Sequence, residues 1–237
     1  MDVGAPSWYI YYNNSEMINT IQEEPSLSSP FGTSISALPG LLTWIWKLLW
    51  KIIRKYSKQG MYEVLDYETK LTIHDPKGKS AILAKYEKVR FLQDNIIAYQ
   101  DQAWGDGKIL QNYRCSAGVP VDTYRVGQKT YVLISLRALK TKGEVTDFNI
   151  QWKMKDGFLK PMGFWGTDIS HSTNHIKIQV VFPKSRPPQT VVIVETNGQK
   201  EKSLEKGISL LPDKRSQITW EKNNPRLYEQ YVLKWTW

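Results

Sequence analysis

Two hydrophobic periods divide this chain. Over residues 41–58 the apolar positions recur with a helical period, and beyond residue 61 they alternate every second position. The first stretch, LLTWIWKLLWKIIRKYSK, predicts one amphipathic α-helix. Placed about 100° apart, Thr43, Lys47, Lys51, Arg54, Lys55 and Lys58 fall within roughly a third of the circumference. Leu41, Leu42, Ile45, Trp46, Leu48, Leu49, Ile52 and Ile53 occupy the remainder. Trp44 and Trp50 lie near the borders of the cationic arc, where an indole at a headgroup boundary is half buried with its N–H still in reach of a polar partner.

The alternating runs predict strands over 63–74 (Val64, Tyr67, Leu71, Ile73), 131–139, 176–182 and 190–194, with Tyr231, Leu233, Trp235 and Trp237 on one face of another. Breaker clusters at 75–79, 104–107, 117–120, 155–157, 185–188 and 196–198 space these runs as in an antiparallel β-sandwich or open barrel of roughly ten strands. The lack of a helical period among them argues against a mixed α/β sheet. Residues 1–40 are rich in Ser, Asn, Thr, Pro and Gly and have no consistent period, which predicts a mostly disordered leader ending at Pro39–Gly40. The expected organisation is mainly β: leader 1–40, helix 41–58 and one basic all-β domain, 61–237.

Charge sharpens this division. The net charge is +9, yet the leader holds Asp2, Glu16, Glu23 and Glu24 with no Lys or Arg, while the helix holds five cations and no acid. Most of the surplus therefore sits in the β domain, and anionic partners are expected. The leader's acids complement the helix, so electrostatic masking of the helix by the leader is a further expectation. The single cysteine, Cys115, excludes an intrachain disulfide, and no secretory signal is visible. A cytoplasmic setting is expected.

The helix is expected to lie on a membrane rather than cross it. Burying Lys47 and Lys51 at bilayer depth costs roughly 5–7 kcal/mol, against roughly 2–4 recovered from seven Leu and Ile side chains. Its predicted partner is the anionic inner leaflet, on which the protein sits peripherally. Homo-oligomers with basic stripes around a shared aqueous pore are an alternative use of the same stripe, and packing on the β domain or in a partner's groove is another.

Catalytic chemistry finds little support. His171 and His175 have H-x3-H spacing but no Cys or acidic third ligand nearby, so no metal is expected. Asp94, Asp101 and Asp106 fall in QDNIIAYQDQAWGDG (93–107), read as a structural loop with Trp104 against the sheet. No nucleophile elbow, phosphate loop or dinucleotide motif occurs, so no catalytic residue and no cofactor is assigned. The functional expectation is a non-enzymatic, membrane-associated protein whose β domain senses or docks a partner, a layout shared by analogy with single-helix effectors of bacterial defence or toxicity. The alternative is a soluble domain binding single-stranded nucleic acid through Lys184, Arg186, Arg215, Trp220 and Arg226, with the helix as a docking or oligomerisation face.

Overall fold

The computed structural model describes residues 60–237; the predicted leader and helix lie outside the described residues. The described residues form fourteen strands: β1 (Tyr62–Ile73), β2 (Ser80–Phe91), β3 (Ile96–Ala103), β4 (Lys108–Cys115), β5 (Gly118–Val126), β6 (Lys129–Lys140), β7 (Val145–Lys155), β8 (Met162–Asp168), β9 (His175–Val181), β10 (Thr190–Glu195), β11 (Lys200–Ser203), β12 (Ile208–Leu210), β13 (Ser216–Asn223) and β14 (Gln230–Thr236). They form a seven-stranded sheet ordered β12-β13-β9-β1-β2-β7-β4, a four-stranded sheet β11-β10-β14-β8 and a three-stranded sheet β3-β6-β5. Among the described residues no sheet closes into a barrel.

Mainly β structure is thus observed, with corrections to the expected form. Three sheets replace the two of a sandwich, and fourteen strands replace about ten. The pairing is not wholly antiparallel, because β1 runs parallel to β9 from Tyr67↔Ile176 to Thr72↔Val181. The segment 93–107 is not a loop: it contains β3, and the 117–120 breaker runs into β5.

The core sits on the inward faces of the largest sheet and of β14. In β1 and β2 the hairpin register Leu71↔Leu83 and Ile73↔Ala81 brings alternate apolar side chains to one side. Phe148, Ile150, Trp152 and Met154 of β7 extend that layer, and Ile176, Ile178 and Val180 of β9 continue it. Each large side chain buried in this way stabilises the fold by about 1.5–3 kcal/mol. Tyr231, Leu233 and Trp235 on β14 are buried as their alternation predicts. A Cβ at Gly163 would stand 2.5 Å from the Trp235 ring, so β8 approaches β14 through the missing side chain. Phe158, Phe182 and Trp237 surround Trp235 at ring separations of 5.9, 5.4 and 5.9 Å.

Candidate binding cleft

Two strands end their sheets facing one opening. β3 is terminal in the three-stranded sheet and β8 in the four-stranded sheet, and they approach through side chains rather than by ladder pairing. Gln102 Nε2 donates to Asp168 Oδ1 at 3.2 Å, and Lys129 Nζ donates to Asp168 Oδ2 at 2.7 Å. Beside this bridge lies a cleft of about 220 Å³. Tyr62, Val64 and Tyr67 line it from β1, Glu87 from β2, residues Tyr99 to Gln102 from β3, Lys129 and Tyr131 from β6, and Thr167 to His171 with Thr173 from β8 and its continuation.

Its floor is a buried charge cluster. In β2 the inward face reads Ala81, Leu83, Lys85, Glu87, Val89, Phe91, so two opposite charges take core positions in an otherwise apolar register. Lys85 Nζ donates to Asp101 Oδ1 and lies 2.9 Å from Glu87 Oε1. Tyr99 donates its hydroxyl to Glu87 Oε2, and Tyr113 donates to Asp101 Oδ2 at 2.7 Å. The Gln102 N–H adds a bond of 2.7 Å to Asp101 Oδ1. Every carboxylate oxygen therefore has a partner, which is what permits side chains only 3%, 5% and 0% exposed for Lys85, Glu87 and Asp101. One ammonium nevertheless serves two carboxylates.

That imbalance sets the protonation behaviour. Burial works against the Lys85 charge, but Asp101 and Glu87 outweigh it and hold the ammonium well above the ordinary lysine value. Burial first, and the Asp101 charge after it, raises Glu87 above the usual carboxylate range against the pull of Lys85. A raised carboxylate binds its proton more tightly folded than unfolded. Its stabilising contribution is full below the unfolded carboxylate value and is lost as pH rises through the folded one. Urea midpoints should therefore fall across that interval in the wild-type protein, and the Glu87→Gln variant should flatten this part of the profile; an unchanged profile would show that Glu87 titrates normally.

The rim is aromatic and partly polar. Tyr62 stacks on His171 at 4.2 Å and tilts against Tyr99 at 5.0 Å. Burial holds the His171 imidazole below the ordinary histidine value, so it is a neutral ring at physiological pH. Its Nδ1 lies 3.0 Å from Ser170 Oγ, but no carboxylate orients the ring among the described residues, which leaves this pair short of a nucleophile–base–acid relay.

The histidines and aspartates singled out in the sequence separate. His175 bonds Asp66 through Nδ1 at 2.7 Å, away from the Tyr62 stack of His171, and no cluster of metal-ligating side chains occurs among the described residues. Asp94 accepts from the Lys142 N–H at 2.9 Å, Asp106 pairs with Lys160 at 2.8 Å, and Asp101 alone enters the floor. Trp104 is half-buried against the core, under Lys129 at 5.8 Å.

The basic candidates are placed elsewhere, and none of them lines the cleft. Arg186 stacks its guanidinium 3.9 Å over Trp237 and donates to Pro76 O at 2.9 Å. Arg215 pairs with Asp213 at 2.7 Å, Lys184 is exposed, and Trp220 and the Arg226 N–H both contact Tyr231. Sequence reading missed a second basic strip: Lys108 faces Lys155, beside Lys153 and Arg114, all exposed and without an acid partner among the described residues. It also missed Lys85 and Glu87. Their signal is two opposite charges two positions apart in an apolar alternation.

No protein-family model matches the sequence, and no curated protein matches it. Among solved structures the chain is similar to a candidate protease from Parabacteroides distasonis, at 11% identity and a TM-score of 0.43 over 75% of this chain and 40% of that one. It is also similar to an M1 zinc metallopeptidase from Deinococcus radiodurans, at 11% identity and a TM-score of 0.41 over 74% of this chain and 42% of that one. A two-domain M1 zinc metallopeptidase is similar at 10% identity and a TM-score of 0.42, over 74% of this chain and 43% of that one. The chain spans less than half the length of each, and no activity or residue role passes to it from a likeness this distant.

Proposed function

We propose that the chain is a non-enzymatic docking protein held at an anionic membrane surface. The helix predicted over 41–58 adsorbs to the cytoplasmic leaflet, and the cleft between β3 and β8 receives the docked ligand or partner. The observation that carries the docking half is the cleft itself, an opening of about 220 Å³ with aromatic walls and a few convergent polar groups. Its acids and bases are engaged in holding the floor together, which favours binding over turnover. The membrane half rests on the cationic stripe edged by Trp44 and Trp50. Among the described residues no helix is long and apolar enough to cross a membrane.

Flotation with anionic vesicles tests the reading. Each basic residue near such a surface contributes about 1 kcal/mol, so reversing Lys47 and Lys51 to Glu should weaken partitioning by about 30-fold to 1,000-fold. Retained flotation in the double variant would remove the electrostatic anchor. Salt-sensitive oligonucleotide binding without flotation would favour the nucleic-acid alternative, for which the Lys108, Arg114, Lys153 and Lys155 strip is the available surface.

A further inference from the structure

Charge is polarised along the strands of the β domain. β1 and β9 run parallel and finish together near Ile73 and Val181, and the antiparallel pairings put the starts of β2, β4 and β13 there with the end of β7. Arg186 ties β8 to the same end, donating to Pro76 O at 2.9 Å and to Lys160 O at 3.4 Å. The segments 74–79, 104–108, 155–162, 182–190 and 210–216 gathered here hold nine Lys and Arg against four Asp. At the opposite end the segments 91–96, 140–145, 168–175, 195–200 and 223–230 hold four Lys and Arg against five acids, so the surplus is confined to one end.

A second observation concerns apolar side chains. Leu159 and Met162 stand within the cationic end, 53% and 57% exposed. The fold imposes that exposure. Phe158 is buried against Trp235, and its N–H donates to Gly78 O at 3.1 Å. Trp237 donates to Lys160 O through Nε1 and to Pro161 O through its backbone N–H, each at 3.1 Å. A segment pinned at Phe158, Lys160 and Pro161 holds the Leu159 and Met162 side chains outward, where water is a poor partner for them.

We propose, resting on the reading of an anionic bilayer as this chain's partner, that the cationic end of the β domain is itself a lipid-docking surface. Leu159 and Met162 enter the boundary between headgroups and acyl chains, and the lysines around them pair with anionic headgroups. Aliphatic tips ringed by cations repeat, on loops, the chemistry by which an amphipathic helix holds such an interface. Single-stranded nucleic acid fits less well, since Leu and Met offer no ring on which a base can stack and Arg186 covers Trp237. The chain enters β1 at Tyr62, at the opposite end, and the twelve residues of that strand span about 36–40 Å at about 3.3 Å each. Residues 41–58 and the loop end can therefore be altered independently.

Flotation of the full-length protein with phosphatidylcholine vesicles, with and without about one-third phosphatidylserine, tests this. Leu159→Ser plus Met162→Ser should weaken binding to the anionic vesicles by about tenfold to 100-fold, and Lys155→Glu plus Lys184→Glu by about 30-fold to 1,000-fold. All four side chains are exposed, so urea midpoints should match wild type. Vesicles lacking phosphatidylserine should bind the wild-type protein at least about tenfold more weakly. Wild-type affinity in the Leu159 and Met162 pair overturns the proposal, and a loss in Lys47→Glu plus Lys51→Glu then leaves the helix reading standing. Weakening by both loop pairs, with the Lys47 and Lys51 pair unaffected, supports this end and removes the helix anchor. Equal binding to the two lipid mixtures overturns the proposal. Oligonucleotide binding that falls in the Lys155 and Lys184 pair, while vesicle binding stays at the wild-type level, assigns this end to nucleic acid and overturns it as well.

Discussion

Replacing Lys85 with alanine is expected to destabilise the protein by about 3–5 kcal/mol, because it strands two carboxylates in the interior without their shared cation. Glu87 and Asp101 would keep only the hydroxyls of Tyr99 and Tyr113 and the Gln102 N–H, in side chains at most 5% exposed. The loss should shrink in acid, where protonation removes the unpaired charge that the substitution creates. Urea denaturation of Lys85→Ala, Asp101→Asn and the double variant measures it. A double variant less affected than the sum of the singles is the expected result. A Lys85→Ala midpoint within about 1 kcal/mol of wild type would mean that water or relaxation already serves these carboxylates.

Gly78→Ala should be comparably damaging, for a steric reason. In the β1–β2 turn Gly78 has φ +74°, and an added Cβ would stand 1.9 Å from the Phe158 carbonyl oxygen and 2.3 Å from its carbon. Both are backbone atoms tied to the same turn, since the Phe158 N–H donates to Gly78 O at 3.1 Å. Left-handed backbone costs about 1–3 kcal/mol and overpacking about 1–3 more, so a loss of about 2–6 kcal/mol is expected. Gly143→Ala is the control. Its φ is +87° but nothing lies within 4 Å of the added Cβ, so only the backbone cost, about 1–3 kcal/mol, should appear. Equal thermal shifts for the two variants would mean that the Phe158 contact relaxes without cost.

Apolar alternation marks most of the strands that the sequence reading places, although β7, whose Phe148, Ile150, Trp152 and Met154 alternate as cleanly, escapes it. The 63–74, 131–139, 176–182 and 190–194 runs and the terminal alternation fall on β1, β6, β9, β10 and β14. β2 was hidden by the very residues that make the cleft floor, since Lys85 and Glu87 interrupt the apolar face that a strand reading looks for. β5 and β11 bury almost nothing: Gly118 alone in the first and no side chain in the second, so no period marks them. β3 reads as a loop because Asp94, Asp101 and Asp106, with Gly105 and Gly107, carry turn chemistry. Asp101 is buried all the same, because Lys85, sixteen positions away, supplies the countercharge that local reading cannot see. The parallel β1–β9 pair and the β3–β8 opening are likewise products of topology, which no local pattern encodes.

The partnership of β1 with β9 also bears on how the chain is made. Asp66 and His175, hydrogen-bonded across these neighbours, are 109 positions apart. At ribosomal speeds of about 5–20 residues per second, one edge of β1 waits about 5–20 seconds for its mate after synthesis. During that delay the nascent hairpin of β1 and β2 presents Leu71, Ile73 and Leu83 to whatever else is sticky in the cell. Holdase chaperones engage such segments, and nascent chains halted before residue 175 would be expected to aggregate through that open edge.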